Sequence, residues 1–366
     1  MAKPTSLKLL VSLLTLCASH DLRGADEPTK ISATETMPKH YVCGKASGPV
    51  VVDGKLDDPA WEKAPWTDDF VDIEGDLKPR PRFRTRAKML WDDQFFHVAA
   101  ELSEPHVWGT ITRHDAVIFQ DNDFEVFIDP DGDNHEYYEF EMNALNTGWD
   151  LFLKSPYRDG GPAVNDWEIP GLLTGVHVNG TLNDPTDEDT SWTVEMAFPW
   201  KVLAEYAHKP SPPRDGDVWR VNFSRVEWKH RLADGRYEKV PGLREDNWVW
   251  SPQGVIDMHR PERWGFVQFR EGVADSPFVA DPTFPVRERL MRIYHGQRAY
   301  RERTKTWADS LEKLDLREVP RIDGEGPATL TTSGAEGYVV TIPVAARDGR
   351  PAATWSIRQN SKIEIR

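Results

Sequence analysis

The stretch Asp123 to Asn143 reads Asp-Phe-Glu-Val-Phe-Ile-Asp-Pro-Asp-Gly-Asp-Asn-His-Glu-Tyr-Tyr-Glu-Phe-Glu-Met-Asn. Phe124, Val126 and Ile128 alternate with Glu125 and Phe127. After an acidic break, Tyr138, Phe140 and Met142 alternate with Glu139, Glu141 and Asn143. Two runs of period two, separated by Pro, Asp, Gly and Asn, predict a β-hairpin. One face is apolar and closes a core. The other carries Glu125, Glu139, Glu141 and Asn143, a row of hydrogen-bonding groups on a rigid sheet. Such a face suits a polyhydroxylated ligand. The alternative at this point is an ordinary solvated outer face.

The same alternation recurs on both sides of the hairpin. Strands are predicted over 83–91, 95–102, 148–153, 175–182, 191–198, 217–228 and 264–270, with turn chemistry between them. Many short strands of this kind predict an all-β fold, an antiparallel β-sandwich of the immunoglobulin or jelly-roll type. Asp57 or Asp58 with Pro59 starts a helical turn that points Trp61 and Trp66 at the core. Residues 199–204 form a second short helix. Beyond Phe278 the pattern changes. Over 286–316, Leu290, Tyr294, Trp307, Leu311 and Leu314 recur at three- and four-residue steps, predicting an amphipathic helix interrupted at Gly296. Residues 338–344 and 354–365 alternate as a β-hairpin around Asp348-Gly349. The expected organisation is a signal peptide over 1–25, a flexible leader over 26–40, the sandwich over 41–272, and a helix plus hairpin extension over 273–366.

Composition narrows the setting. The 366-residue chain is 39% hydrophobic and 11% aromatic, with 15 Trp, enough for a core and for ring platforms at a site. Lys3 and Lys8 precede a short apolar run over 9–18, too short to span a bilayer. This predicts an exported protein, periplasmic or extracellular, with no membrane insertion. Of the 2 Cys, Cys17 falls in that segment, so Cys43 has no partner for an internal disulfide. The formal charge is −15, and cleavage would remove three basic residues and one acidic one. A chain this acidic is not expected to bind nucleic acid or anionic membrane, and it is compatible with neutral glycans and with cations.

Five ordered segments then carry a resemblance: Val52 to Trp61, Leu90 to Val98, Asp123 to Asp129, Trp192 to Trp200 and Trp264 to Phe269. Together they resemble the family 9 carbohydrate-binding modules and their relatives in the DOMON-like superfamily, over about 50–269. The resemblance implies a β-sandwich, binding of a glycan or oligosaccharide, fusion to glycoside hydrolases in relatives, and bound calcium. It implies a sugar clamped between two Trp rings. Glu125 matches the family's sugar-binding glutamate. The first ring position falls at Phe119. The second falls near Met258, which has no ring, and a family arginine falls at Glu141. The implied carbohydrate-binding set is Phe119, Glu125, Glu141, Asn143, Trp149 and Met258. Trp149, Trp167, Trp248 or Trp250 is either a replacement plate or buried core.

Asp129, Asp131, Asp133 and Asn134 place oxygens at alternate positions around a Gly, the chemistry calcium takes. The alternative is an ordinary acidic turn. Glu125, Glu139 and Glu141 stand ~7 Å apart along one strand face, which also raises glycoside hydrolysis. The resembled family supplies binding, with catalysis in another domain, so no catalytic residue is assigned. Haem is not expected. Met258 and His259 are adjacent and cannot be opposed axial ligands, which leaves only Met258 with His114. The expected function is non-catalytic carbohydrate binding in support of polysaccharide breakdown. The alternatives are a ligand-free module that meets a protein partner through the C-terminal helix, a hydrolase acting on O-glycosyl bonds, and a haem protein.

Overall fold

The hairpin forms as its alternation predicts. In the computed structural model, which describes residues 37–272, 276–316, 318–347 and 349–366, Asp123–Asp129 pairs antiparallel with Tyr137–Asn143. Glu125 lies opposite Glu141, Phe127 opposite Glu139, and Asp123 opposite Asn143. The predicted signal segment and the leader up to residue 36 lie outside the described residues. The expected leader runs to residue 40, but the strand His40–Gly44, not predicted from the sequence, opens there, and Lys39 O already accepts the Phe266 N–H.

The hairpin sits in the middle of a large sheet. From one edge the order is His40–Gly44, Gly265–Arg270, Val218–Glu227, Asp123–Asp129, Tyr137–Asn143, Gly148–Leu153 and Ala163–Val164. Asp246–Val249 also pairs with Val218–Glu227 and carries the short strand Val71–Asp72. The pairing of His40–Gly44 with Gly265–Arg270 is parallel. A second sheet runs Thr85–Trp91, Phe95–Ser103, Ser191–Pro199, Leu173–Asn179, all antiparallel.

The apolar faces of the two sheets meet. Phe124, Val126, Ile128, Tyr138, Phe140 and Met142 pack against Phe96, Val98, Val194, Met196 and Phe198 in one core. This is the two-layer sandwich that the alternation predicted. Trp61 is buried in a separate small cluster with Ala60, Ala64, Leu90 and Ala99, with Nε1 donating to Glu195 at 2.7 Å. Trp66 instead lies half-buried under the cations of Arg86 and Lys88, at 4.0 and 4.6 Å. Trp248 and Trp250 are core residues, and Trp167 packs partly buried against the same core.

The extension is larger than a helix and a hairpin. The helix Phe284–Thr304 passes through Gly296 without interruption and ends where Lys305 turns left-handed. Gly296 has a packing role: a Cβ there would meet Leu316 at 2.9 Å, so its absence lets the returning chain lie against the helix. Four antiparallel strands follow, Thr329–Thr332, Tyr338–Val344, Ala353–Arg358 and Ile363–Ile365. Val286, Leu290 and Tyr294 are buried with Val340, Ile342 and Ile357, while Trp307 and Leu311 pack at the edge of that cluster. The apolar helix face is therefore covered within the chain.

Polar groups join the extension to the sandwich. The fully buried Asp159 carboxylate accepts from Tyr294 Oη, from Ser361 Oγ at 2.6 Å and from Arg298 Nη1 at 3.3 Å. The acidic hairpin turn docks there too. Asp133 O accepts the Ile363 N–H at 3.1 Å, Gly132 O accepts from Arg287 at 2.6 Å, and Asn134 Nδ2 donates to Ser361 O at 2.9 Å. A buried carboxylate with three donors is costly to remove, because its partners stay buried without it. Asp159→Ala is expected to lower stability by ~3–5 kcal/mol in urea denaturation. A loss below ~1 kcal/mol would show that Asp159 does not carry the docking.

Candidate functional site

The outer face of the large sheet is polar over the middle of the hairpin and apolar toward its turn. Toward the turn, Phe127, Tyr137, Leu151, Leu153 and Trp264 form a small buried cluster, with Trp149 and Met258 packed beside it. Next to it stand Asp123, Glu125, Glu139 and Glu141, at 0, 5, 5 and 2% exposure. This row is enclosed rather than solvated. One carboxylate oxygen each from Asp123, Glu125 and Glu141 lies within 4.8 Å of the others.

No Lys, Arg or His forms an ion pair with these four carboxylates among the described residues. The arginine nearest in the sheet pattern, Arg225, alternates to the inner side, where it binds Glu104 and Glu227 at 2.7 and 2.8 Å. Without a counter-charge, burial favours the protonated acid. Burial pushes Glu125 up to about 7. Asp123, Glu139 and Glu141 rise well above the carboxylate range, through burial first and their neighbours' negative charge second.

Partners inside the protein are few. Glu141 Oε2 accepts the Phe119 N–H at 2.9 Å, and Asp123 Oδ1 accepts the Val226 N–H at 3.2 Å. Asp123 Oδ2, Glu139 Oε2 and the indole Nε1 of Trp149 are buried without a hydrogen-bond partner. Buried polar groups are normally paired, so these atoms are open to a ligand or to an ordered water.

The structure brings five of the six sequence-predicted binding residues to this face. Glu125 and Glu141 are its floor, and Trp149 stands directly opposite Glu141 on the next strand. Phe119 is half-buried at one side, held by its own N–H and by Trp228 Nε1 donating to its carbonyl at 2.8 Å. Met258 is half-buried at the other side, its carbonyl accepting from Trp264 Nε1. Asn143 is different. Its Nδ2 donates to Ile111 O and Asp121 Oδ2, and its Oδ1 accepts from Leu145 and Thr147. The amide is fully engaged in shaping its own turn, so Asn143 presents nothing to a ligand.

Three residues of the face stand outside the binding set implied by the resemblance. Asp123 and Glu139 share the period-two face with Glu125; the sequence already places Glu139 in that polar row, and the family pattern leaves both out of the set. Tyr157 is the third. It lies in the loop after Gly148–Leu153, half exposed, with its ring 4.4 Å from that of His259. Burial and then the charges of Glu139 and Glu141 push its phenol up to about 12. It supplies a ring on the Met258 side, where the resemblance implied one and the sequence showed none.

The acidic turn has other partners. Asp129 accepts from Gly132 and Asn134 N–H groups, and Asp133 accepts from His135 N–H and pairs with Lys362 at 3.1 Å. The Asp129, Asp131 and Asp133 oxygens do lie within 4.8 Å of one another. A calcium ion there would have to displace the Lys362 ammonium, and the Asn134 amide nitrogen faces Ser361, so this donor set does not fit a dedicated calcium site. His114 is exposed and pairs with Asp115 at 3.0 Å.

Residues 52–212 match the family model described as carbohydrate family 9 binding domain-like. The resemblance carried by the sequence motifs is borne out over that span, which contains the whole hairpin and Phe119 but not Met258. The exoglucanase XynX of Acetivibrio thermocellus is 24% identical over 156 residues, 43% of this chain. The chain spans 12% of the length of that relative. Among solved structures, a family 9 carbohydrate-binding module from Caldicellulosiruptor kristjanssonii in complex with cellotriose is 16% identical, with a TM-score of 0.42 over 67% of this chain and 100% of that one. A family 9 module from the same organism in complex with glucose gives 16% identity and a TM-score of 0.42, over 64% and 98%.

His259 makes the Tyr157 side of the face sensitive to acid. Burial, and then the Arg158 charge, push its imidazole down to about 3, and Tyr137 Oη lies 2.9 Å from Nδ1. A histidine depressed in the folded state contributes stability in full above about 6.5, and loses it as pH falls. Glu125, raised by burial, has the opposite sign and opposes folding as pH rises through about 7. Comparison with His259→Gln isolates the histidine. Between pH 7.5 and 5 the wild type is expected to lose ~1–2 kcal/mol more in urea denaturation than the variant. Parallel pH curves would contradict this.

Proposed function

We propose that this protein binds a glycan, without catalysis, on the outer face of its large sheet. The observation that carries the reading is the set of unpartnered atoms there. Asp123 Oδ2 and Glu139 Oε2 are acceptors, and Trp149 Nε1 is a donor. A sugar hydroxyl both donates and accepts, so a polyol answers all three at once. Phe119 and Tyr157 stand on the two sides, and ring faces suit the axial C–H groups of a pyranose. The match to a carbohydrate-binding family over 52–212 supports the same reading.

The arrangement suits binding better than hydrolysis. Glu125 and Glu141 are side by side on adjacent strands. Glycoside hydrolysis needs an acid and a second carboxylate flanking the bond from either side. The exported setting read from the first 25 residues belongs to the proposal too: the protein would meet its glycan outside the cytoplasm, alongside enzymes that cleave it. Among the described residues no helix is long and apolar enough to cross a membrane.

Calorimetric titration with cellotriose and with glucose is the test. Tyr157→Ala and Phe119→Ala are each expected to weaken binding by ~1–3 kcal/mol, the scale of a lost stacking ring, with melting temperature unchanged. Unchanged affinity in both variants would place the site elsewhere.

A further inference from the structure

We propose that the cleft between the sandwich and the extension binds the carboxylate of a small organic acid, held by Lys209, Arg220 and Arg287. The argument does not rest on the glycan reading of the carboxylate face. The cleft has a volume of about 380 Å³ and is lined both by the strand Val218–Glu227 and by the first turn of the helix Phe284–Thr304. Arg220 and Arg287 lie outside the span 52–212 that matches the family, so that match does not account for them.

The three cations are bonded only to neutral carbonyls. Arg220 is 8% exposed, with Nη2 donating to the Pro261 and Glu262 carbonyls at 3.2 and 2.6 Å and Nε to the Pro261 carbonyl at 3.4 Å. Its Nη1 has no hydrogen-bond partner among the described residues. Lys209 Nζ donates to the Pro130 and Val218 carbonyls at 3.1 and 2.8 Å, and Arg287 Nη1 to the Gly132 carbonyl at 2.6 Å. A buried cation is normally paired with an opposite charge. Burial, and then the positive charge of Arg287, push the Arg220 guanidinium down to about 9, the response of a cation without one. The acids around the cleft are engaged elsewhere. Glu262 pairs with Arg158, Arg260 and His295, and Glu288 with Arg263 and Arg292. Asp281 accepts from Thr283, Asp217 from the Arg214 N–H and Asp131 from the Asp133 N–H. Asp129, opposite Arg220 on the next strand, accepts the Gly132 and Asn134 N–H groups. None of these acids forms an ion pair with the three cations among the described residues. A guanidinium fork matches a carboxylate. The Arg220 guanidinium covers the Phe266 ring at 4.0 Å, and Phe284 lines the same cleft half-buried. Apolar walls beside convergent cations suit an organic acid, such as a uronic acid, better than a bare inorganic ion.

The test titrates the full chain with glucuronate, with glucose as the counterpart lacking the carboxylate, and with inorganic phosphate. Glucuronate is expected to bind wild type and to raise its melting temperature. Arg220→Gln and Arg287→Gln should each weaken glucuronate binding ~10-fold or more, the scale of a lost charge-assisted hydrogen bond, and leave the response to glucose as it is in wild type. Arg287 is only half-buried, so Arg287→Gln carries the test if Arg220→Gln does not fold. Phe119→Ala, on the carboxylate face, should keep the glucuronate binding that Arg287→Gln loses. That pair of variants separates failure at the cleft from failure of the glycan reading. The proposal is overturned if wild type does not bind glucuronate, or if Arg287→Gln binds it as wild type does. Phosphate bound as tightly as glucuronate would overturn the assignment to an organic acid.

Discussion

Four carboxylates are held together on one sheet face, away from water and from any basic side chain among the described residues. Desolvating a charged carboxylate costs several kcal/mol, and like charges nearby add to that cost. In the protein alone the response is protonation, which is why all four acids shift upward. The sheet prevents them from relaxing apart. Glu125 and Glu141 are fixed opposite one another by backbone pairing, and the reverse side of both strands is locked into the sandwich core. The hydrophobic packing behind the face thus offsets the cost of the polar layer in front, a pattern typical of sites organised for a ligand.

The same hairpin serves two ends of the molecule. Its strands are seven residues long, about 20 Å. At one end Asp123 and Asn143 stand beside the carboxylate floor and the Phe119 loop. At the other, the acidic turn binds the C-terminal strands and the helix Phe284–Thr304. The residues 157–159 contribute to both regions: Tyr157 flanks the ligand face, and Asp159, two positions on, anchors Tyr294 and Ser361. The extension therefore braces the loop that carries one wall of the site. Its own apolar helix face is satisfied by its four-stranded sheet.

The alternation of Phe124, Val126 and Ile128 with Glu125 made the central hairpin and its apolar side legible, because period two is a direct consequence of the pleat. The sandwich followed from repeating that pattern. The extension was less legible. Gly296 looked like a helix interruption because propensity acts locally, whereas its actual role is contact with Leu316, distant in sequence. At the site, Glu125 and Glu141 were legible from periodicity and resemblance. Asn143 shared their face and is also polar, yet its bonds to Ile111 and Asp121 are tertiary and, with those to Leu145 and Thr147, engage it fully. Tyr157 was invisible, because no periodicity reports where a loop ring comes to rest.

The most direct measurement is a crystal structure of the protein soaked with a neutral oligosaccharide. The account predicts difference density over Asp123, Glu125, Glu139 and Glu141, between the rings of Phe119 and Tyr157. Ligand density confined to the cleft between sandwich and extension, beside Lys209, Arg220 and Arg287, with the carboxylate face empty, would contradict it.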